Sequence, residues 1–168
     1  MPEKLGEAAT IFDYIQKIPN LDDFREAILI SEFDGFLNQI SPLTVFIPTD
    51  DAFDKLPRNA RSSLFKEKFH LMRVIKSHII FDRIGSGDIT DMEVLRVATG
   101  GLLDVSMKGT EIWLDNAKIV VADIQCLNGI IHIIDGVLWP KNTFFQSWDR
   151  IFNPGKDSDI DKLFIKEK

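Results

Sequence analysis

Apolar positions in the first forty residues recur at helical spacing. Ile11, Ile15 and Ile18 stand at i, i+4 and i+7, one face of a helix that Pro19-Asn20 ends. Asn20 then sits where a second helix would be capped. Asp22 and Asp23 fall in its positively polarised first turn, and Phe24, Ala27 and Ile28 on its buried face. Phe33, Phe36, Leu37 and Ile40 carry the pattern through a third, short helix. At Leu43 the period changes. Leu43-Thr44-Val45-Phe46-Ile47 is short, β-branched and aromatic, and Pro48 closes it, which predicts a strand. Thr49 caps a short helix carrying Ala52, Phe53 and Leu56, stopped by Pro57. Helical spacing returns over residues 62–80, with Leu71, Ile75 and His78 on one face.

From Arg96 onward the pattern is strand and turn. Arg96–Thr99 leads into Gly100-Gly101, and Leu103, Val105 and Met107 then alternate with Asp104, Ser106 and Lys108. That alternation predicts a strand with one buried face. Glu111–Leu114, Lys118–Gln125 and Ile130–Ile134 follow, separated by Asp115-Asn116 and by Asn128-Gly129, a pair suited to a turn with both φ angles positive. Helices first and a β-meander second predict an α+β domain.

The chain has 168 residues, 45% of them hydrophobic and 27% charged, which suits one globular domain. No uncharged apolar run approaches the ~18 residues of a membrane span, so a transmembrane chain is not expected. Cys126 is the single cysteine, which excludes an internal disulfide framework and a multi-thiolate zinc site. Met1–Leu5 has no basic region followed by an apolar core, so no signal peptide is visible. Both a cytoplasmic protein and one whose leader has been cleaved fit that start. No Asn-x-Ser/Thr acceptor occurs. Lys55, Arg58, Arg61, Lys66, Lys68, Arg73 and Lys76 form a basic stretch containing one acid, Glu67. Its aromatics are not interleaved for base stacking, and in a chain of net charge −6 it reads as a solvated helix face; no nucleic-acid partner is expected.

Two longer boxes stand out. Thr44-Val45-Phe46-Ile47-Pro48-Thr49-Asp50-Asp51-Ala52-Phe53 is the first, and Asn128-Gly129-Ile130-Ile131-His132-Ile133-Ile134-Asp135-Gly136-Val137-Leu138-Trp139-Pro140 the second. Between them lies Val74–Ile79, a helix ending at His78. The boxes, their order and the intervening His resemble the fasciclin-like domain family over about residues 8–140. The resemblance implies a domain of residues 1–140 with a twisted antiparallel β-wedge flanked by helices. It implies a secreted, periplasmic or cell-surface adhesion or protein-interaction module with a protein or cell-surface partner and no enzymatic activity. Some algal relatives carry carotenoids, so carriage of a lipophilic small molecule is the alternative; no other cofactor is expected. In some animal relatives an Asp-Ile pair just before the second box belongs to integrin-binding motifs. Asp123 and Ile124 match that pair and their neighbours do not. Ser77 stands where the family often has Tyr before the middle His.

The residues themselves read mainly as structure. Phe46, Ala52 and Phe53 suit a core, Thr49 and Asp50 offer oxygens to amides at the start of the short helix, and Gly129 permits the turn. His78 reads as a hydrogen-bonded core histidine. Asp123 reads as exposed and Ile124 as buried on one strand. His132 and Asp135, three apart on a strand, face opposite ways and do not form a metal pair. No Gly-x-Ser-x-Gly elbow or phosphate loop is present; Gly85-Ser86-Gly87-Asp88 is a connection.

Residues 141–168 extend past the family's usual end. Thr143 and Gln146 hold capping-box positions, and Phe144, Trp148, Ile151 and Phe152 form one apolar stripe before Asn153-Pro154-Gly155. The stripe predicts a short amphipathic helix over 143–152 and then a tail. Phe144, Trp148 and Phe152 would be buried against its own domain, a partner or a second copy of the chain, since so short a helix is not stable alone.

Overall fold

The computed structural model describes residues 9–140. Its helical elements are α1 (Ile11–Lys17), α2 (Asp22–Ser31), a 3-10 turn at Phe36–Asn38, α3 (Asp50–Asp54), α4 (Arg58–Lys66), α5 (Lys68–Lys76) and α6 (Ser86–Ile89). The strands are β1 (Leu43–Pro48), β2 (Ile79–Ile80), β3 (Val94–Arg96), β4 (Leu102–Lys108), β5 (Glu111–Leu114), β6 (Ala117–Cys126) and β7 (Gly129–Ile134). They form one sheet in the order β2-β1-β7-β6-β5-β4-β3. The Ala98 N–H donates to the Ile79 carbonyl at 2.8 Å, linking the chain after β3 to β2, so the sheet nearly closes on itself. The fold is α+β. Within it the β1–β7 pair is parallel, with Phe46 opposite His132, which makes the sheet mixed.

That central pair explains the two boxes. Every residue of β1 and β7 is buried, so their sequences read as apolar runs interrupted only by Thr44 and His132, and not as alternations. One face, with Val45, Ile47, Ile131 and Ile133, packs in a cluster with Ile11, Ile15, Phe24, Ile28, Leu64, Leu71 and Ile75 from the helices. A second cluster holds Phe46 and Ile134 with Leu95, Leu103, Leu114 and Leu138, inside the curl of the sheet.

Five local expectations are corrected. Asn20 does not cap α2; it takes φ +70°, and the N-cap residue is Leu21. The cap comes from across the fold, because Asp50 Oδ1 accepts the Asp23 N–H at 2.8 Å while the Asp50 N–H donates to the Asn20 carbonyl at 2.8 Å. The helix expected over 62–80 is two helices broken at Glu67, and Ile79-Ile80 leaves it to pair with Val45 and Thr44 on the sheet edge. Ile40 belongs to no helix face and is 90% exposed. The strand expected at Arg96–Thr99 lies earlier, at Val94–Arg96. Met107 is 44% exposed, since the β4–β5 hairpin runs past the second core cluster.

Asp50, expected to serve amides at the start of α3, is instead a tertiary cap of α2, and Thr49 alone caps α3 with its side chain. Replacing Asp50 with Ala should lower stability by about 1 kcal/mol. Denaturant unfolding measures this as a shifted midpoint at constant slope, and an unshifted midpoint would mean that the α2 amide finds another acceptor.

Candidate functional site

Apart from Asp51, which is exposed, the polar residues of the two boxes are tied into the fold. Thr44 is buried and bridges to the 82–84 segment: its hydroxyl donates to the Asp82 carbonyl at 2.6 Å and accepts the Ile84 N–H at 2.8 Å. Thr49 caps α3 by accepting the Ala52 N–H at 3.2 Å. Pro48 ends β1, and Phe46, Ala52 and Phe53 are buried. Asn128 is buried and joins three segments. Its Oδ1 accepts the Ile11 N–H at 2.9 Å, and its Nδ2 donates to the carbonyls of Leu37 and Gln39, both at 2.7 Å. The Asp135 Oδ1 accepts the Lys118 N–H at 2.8 Å, closing the end of β7 onto β6.

Neither Asn128 nor Gly129 takes a positive φ. The β6–β7 hairpin turns at Leu127-Asn128, and Gly129 already pairs with Cys126 and Leu43 as the first residue of β7. Glycine is required there by proximity: a Cβ would meet the Leu43 carbonyl oxygen at 1.9 Å.

His78, between the boxes, and His132, in the second, are both buried with both ring nitrogens engaged. His78 lies just beyond α5, where Nδ1–H donates to the Val74 carbonyl at 2.7 Å and Nε2 accepts the Leu138 N–H at 3.0 Å. These partners assign the tautomer. Burial pushes His78 down to about 4, against the opposing Val74 carbonyl. On β7, His132 donates Nε2–H to the Ile84 carbonyl at 2.8 Å and accepts the Asp123 N–H on Nδ1 at 3.1 Å. Its ring stacks on Phe46, 5.5 Å between centroids. Burial also lowers His132, with the Ile84 carbonyl and the Asp123 carboxylate opposing. Imidazoles held neutral and enclosed in this way have no free nitrogen for a substrate or a metal.

Asp123 and Ile124 sit at an irregularity of β6, where the register with β7 shifts between Val121 and Ile124 and Asp123 takes φ +63°. The exposed Asp123 carboxylate accepts the Ser86 N–H at 2.7 Å and the Ser86 hydroxyl. Burial raises this carboxyl, but the Ser86 hydrogen bonds and His132 outweigh it, and the net shift is downward. Ile124 is only half-buried, packed against the main core, because the irregularity rotates it partly outward. A cleft of about 440 Å³ opens nearby, lined by Ser86, Thr110, Glu111, Ile112, Lys118, Ile119, Val120 and Ala122. The expected binding residues Phe144, Trp148 and Phe152 lie outside the described residues, with the rest of 141–168.

Part of the basic stretch is engaged within the domain. Arg61 pairs with Asp23 at 2.5 Å, Lys68 pairs with Glu32, and Lys55 donates to the Asp135 carbonyl at 2.8 Å. Among the described residues no group of three or more His, Cys, Asp or Glu could hold a metal ion, and no helix is long and apolar enough to cross a membrane.

The sequence reading missed three exposed apolar residues, Ile40, Phe81 and Leu127, on segments that hydrogen bonds join to the β6–β7 turn. Leu127 is 58% exposed in the turn itself, and Ile40 stands beside Gln39, which Asn128 holds. Phe81, 63% exposed, contacts Phe36 edge-on at 5.9 Å. Arg83 ties Phe81's segment to this end by donating to the carbonyls of Cys126, Leu127 and Gly129. The available signal was a large apolar residue beside turn formers, as in Ile40-Ser41-Pro42 and Leu127-Asn128.

A family model described as Fasciclin domain matches residues 19–140, spanning both boxes. The chain is 32% identical to human periostin over 134 residues, covering 79% of this chain and 16% of that protein. It is 33% identical over 116 residues to Protein sll1483 of Synechocystis sp., covering 68% of this chain and 64% of that protein. To transforming growth factor-beta-induced protein ig-h3 of Sus scrofa it is 34% identical over 131 residues, 78% of this chain and 19% of that protein. The chain thus spans less than two thirds of the length of each of these relatives. Among solved structures, a FAS1 domain pair from the insect cell adhesion molecule fasciclin I superposes with TM-score 0.70 at 21% identity, over 79% of this chain and 51% of that one. That likeness is one of fold.

Proposed function

The chain belongs to the Fasciclin domain family, and from that membership we propose that it is a non-catalytic protein-interaction module of the adhesion type. The observation that carries this reading is the division of labour between polar and apolar groups. Thr44, Thr49, Asp50, Asn128, His132 and Asp135 spend their side chains on internal hydrogen bonds, whereas Ile40, Phe81 and Leu127 stand exposed on segments tied to one turn. Exposed apolar residues on segments tied to one turn suit a protein partner better than a reaction.

The test compares the whole chain with its Ile40→Asp/Leu127→Asp variant, each immobilised and exposed to native extract. The wild type should retain a protein about tenfold more strongly than the variant, at equal folded stability. Equal retention would remove this end of the domain from the reading. The same comparison in a chain ended after Pro140 tests whether residues 141–168 contribute. Visible absorbance of the same eluate tests the alternative, carriage of a lipophilic molecule such as a carotenoid; a coloured eluate from both forms would favour it.

A further inference from the structure

His132 is buried, yet it acts on exposed chain. Its Nδ1 accepts the Asp123 N–H at 3.1 Å, and this bond anchors the β6 irregularity in which Asp123 takes φ +63°. The Asp123 side chain points elsewhere, to the Ser86 N–H and hydroxyl at the start of α6. One exposed residue therefore joins a titratable ring, through its backbone, to another segment, through its carboxylate. Ser86, Val120 and Ala122 line the cleft described above.

We propose that His132 is a pH-operated latch: its protonation breaks the bond to the Asp123 N–H and draws the Asp123 carboxylate from Ser86 to the imidazolium, rearranging the β6 irregularity and the adjoining cleft wall. A proton on Nδ1 turns the acceptor into a donor, so two N–H groups would face each other. The buried cation then needs an anion. β6 offers the Asp123 carboxylate, whose charge already acts on the ring. β1 offers the Phe46 ring and the Thr44 hydroxyl, the latter held by Asp82 and Ile84. The 82–86 segment offers the Ile84 carbonyl, already used by Nε2–H; its charged members are engaged elsewhere, Asp82 on the Arg83 N–H and Arg83 on the β6–β7 turn. Asp123 is thus the group that can follow the proton. Burial keeps His132 neutral at neutral pH, so the latch is closed there and opens below the ordinary imidazole value of 6.5.

NMR of the whole chain, titrated from about pH 7.5 to about pH 4.5, tests this. The His132 ring and the Asp123 and Ser86 amides should move with one common midpoint below 6.5, while the Asn128 side-chain signals stay in place. Asp123→Asn keeps a residue that tolerates positive φ and removes the anion. In that variant the His132 midpoint should fall, because the anion that opposes its burial is gone, and the Ser86 amide should no longer follow it. The latch is overturned by a Ser86 amide that ignores His132, by an unchanged midpoint in Asp123→Asn, or by loss of the Asn128 signals before His132 titrates.

Discussion

Gly129→Ala should be the most damaging single-methyl substitution in the described fold, lowering stability by about 4–5 kcal/mol or leaving no folded protein. Its φ is not in the left-handed region, so the penalty does not come from backbone preference. It comes from the parallel β1–β7 pair, where Gly129 lies opposite Leu43. An added Cβ would stand 1.9 Å from the Leu43 oxygen, 2.8 Å from the Leu43 carbon and 2.9 Å from Ile11 Cδ1. Two of those atoms are backbone, and no rotamer change moves them. Relief requires the start of β7 to leave β1, which strains the 3.0 Å bond from the Leu43 N–H to the Asn128 carbonyl and the three bonds of the Asn128 side chain. Gly35 is the control. It has φ −62°, and nothing lies within 4 Å of an added Cβ. Gly35→Ala should be neutral or stabilising by about 0.4–1 kcal/mol, through lost freedom of the unfolded chain. Urea unfolding at neutral pH measures both, and a cost below about 1 kcal/mol for Gly129→Ala would show that the strands part easily there.

Acid should cost the domain about 3–4 kcal/mol through His78 alone. Its folded-state value lies near 4, below the ordinary 6.5, so the unfolded chain binds the extra proton more readily. The neutral ring's contribution is therefore complete above 6.5 and is lost as pH falls from 6.5 toward about 4. At ~1.4 kcal/mol per pH unit, that interval yields the figure above. His132 is lowered by burial too and adds in the same direction. The cause is geometric as well as dielectric: a protonated Nε2 would point its hydrogen at the Leu138 N–H. His78→Ala should cost about 1–3 kcal/mol at neutral pH, because the Val74 carbonyl and Leu138 N–H lose their partner. The gap between variant and wild type should then close on acidification. Denaturant midpoints measured at several pH values decide it, and a gap independent of pH would count against a neutral buried His78.

The elements near the motif boxes were legible because local pattern and tertiary role agree there. Leu43–Ile47 and Ile130–Ile134 are apolar and β-branched, and both became fully buried strands. Thr49 was legible as a cap because its acceptor oxygen serves an amide three residues away. The misreadings lie where a partner arrives from elsewhere. Asn20 had the composition of a cap, but the amide it would have served is taken by Asp50. Ile79-Ile80 continued a helical spacing, but an open strand edge at Thr44 and Val45 drew them into the sheet. Asn128-Gly129 had the composition of a positive-φ turn. The structure needs the amide of one as a three-way connector and the missing Cβ of the other for a close strand contact.

By itself, then, the sequence determined the class of fold, the central strands and most of the buried surface, because helix and strand preferences are set by local dihedral limits and by the period of apolar residues. Only the tertiary structure decided that β1 and β7 run parallel side by side, that Asp50 caps α2, and that His132 reaches Asp123. It also decided that Ile40, Phe81 and Leu127 are left exposed on segments tied to one turn. Each of these depends on which surfaces meet after the chain has turned several times. A hydrogen bond or an uncovered side chain is a relation between segments distant in sequence, and no local period encodes it.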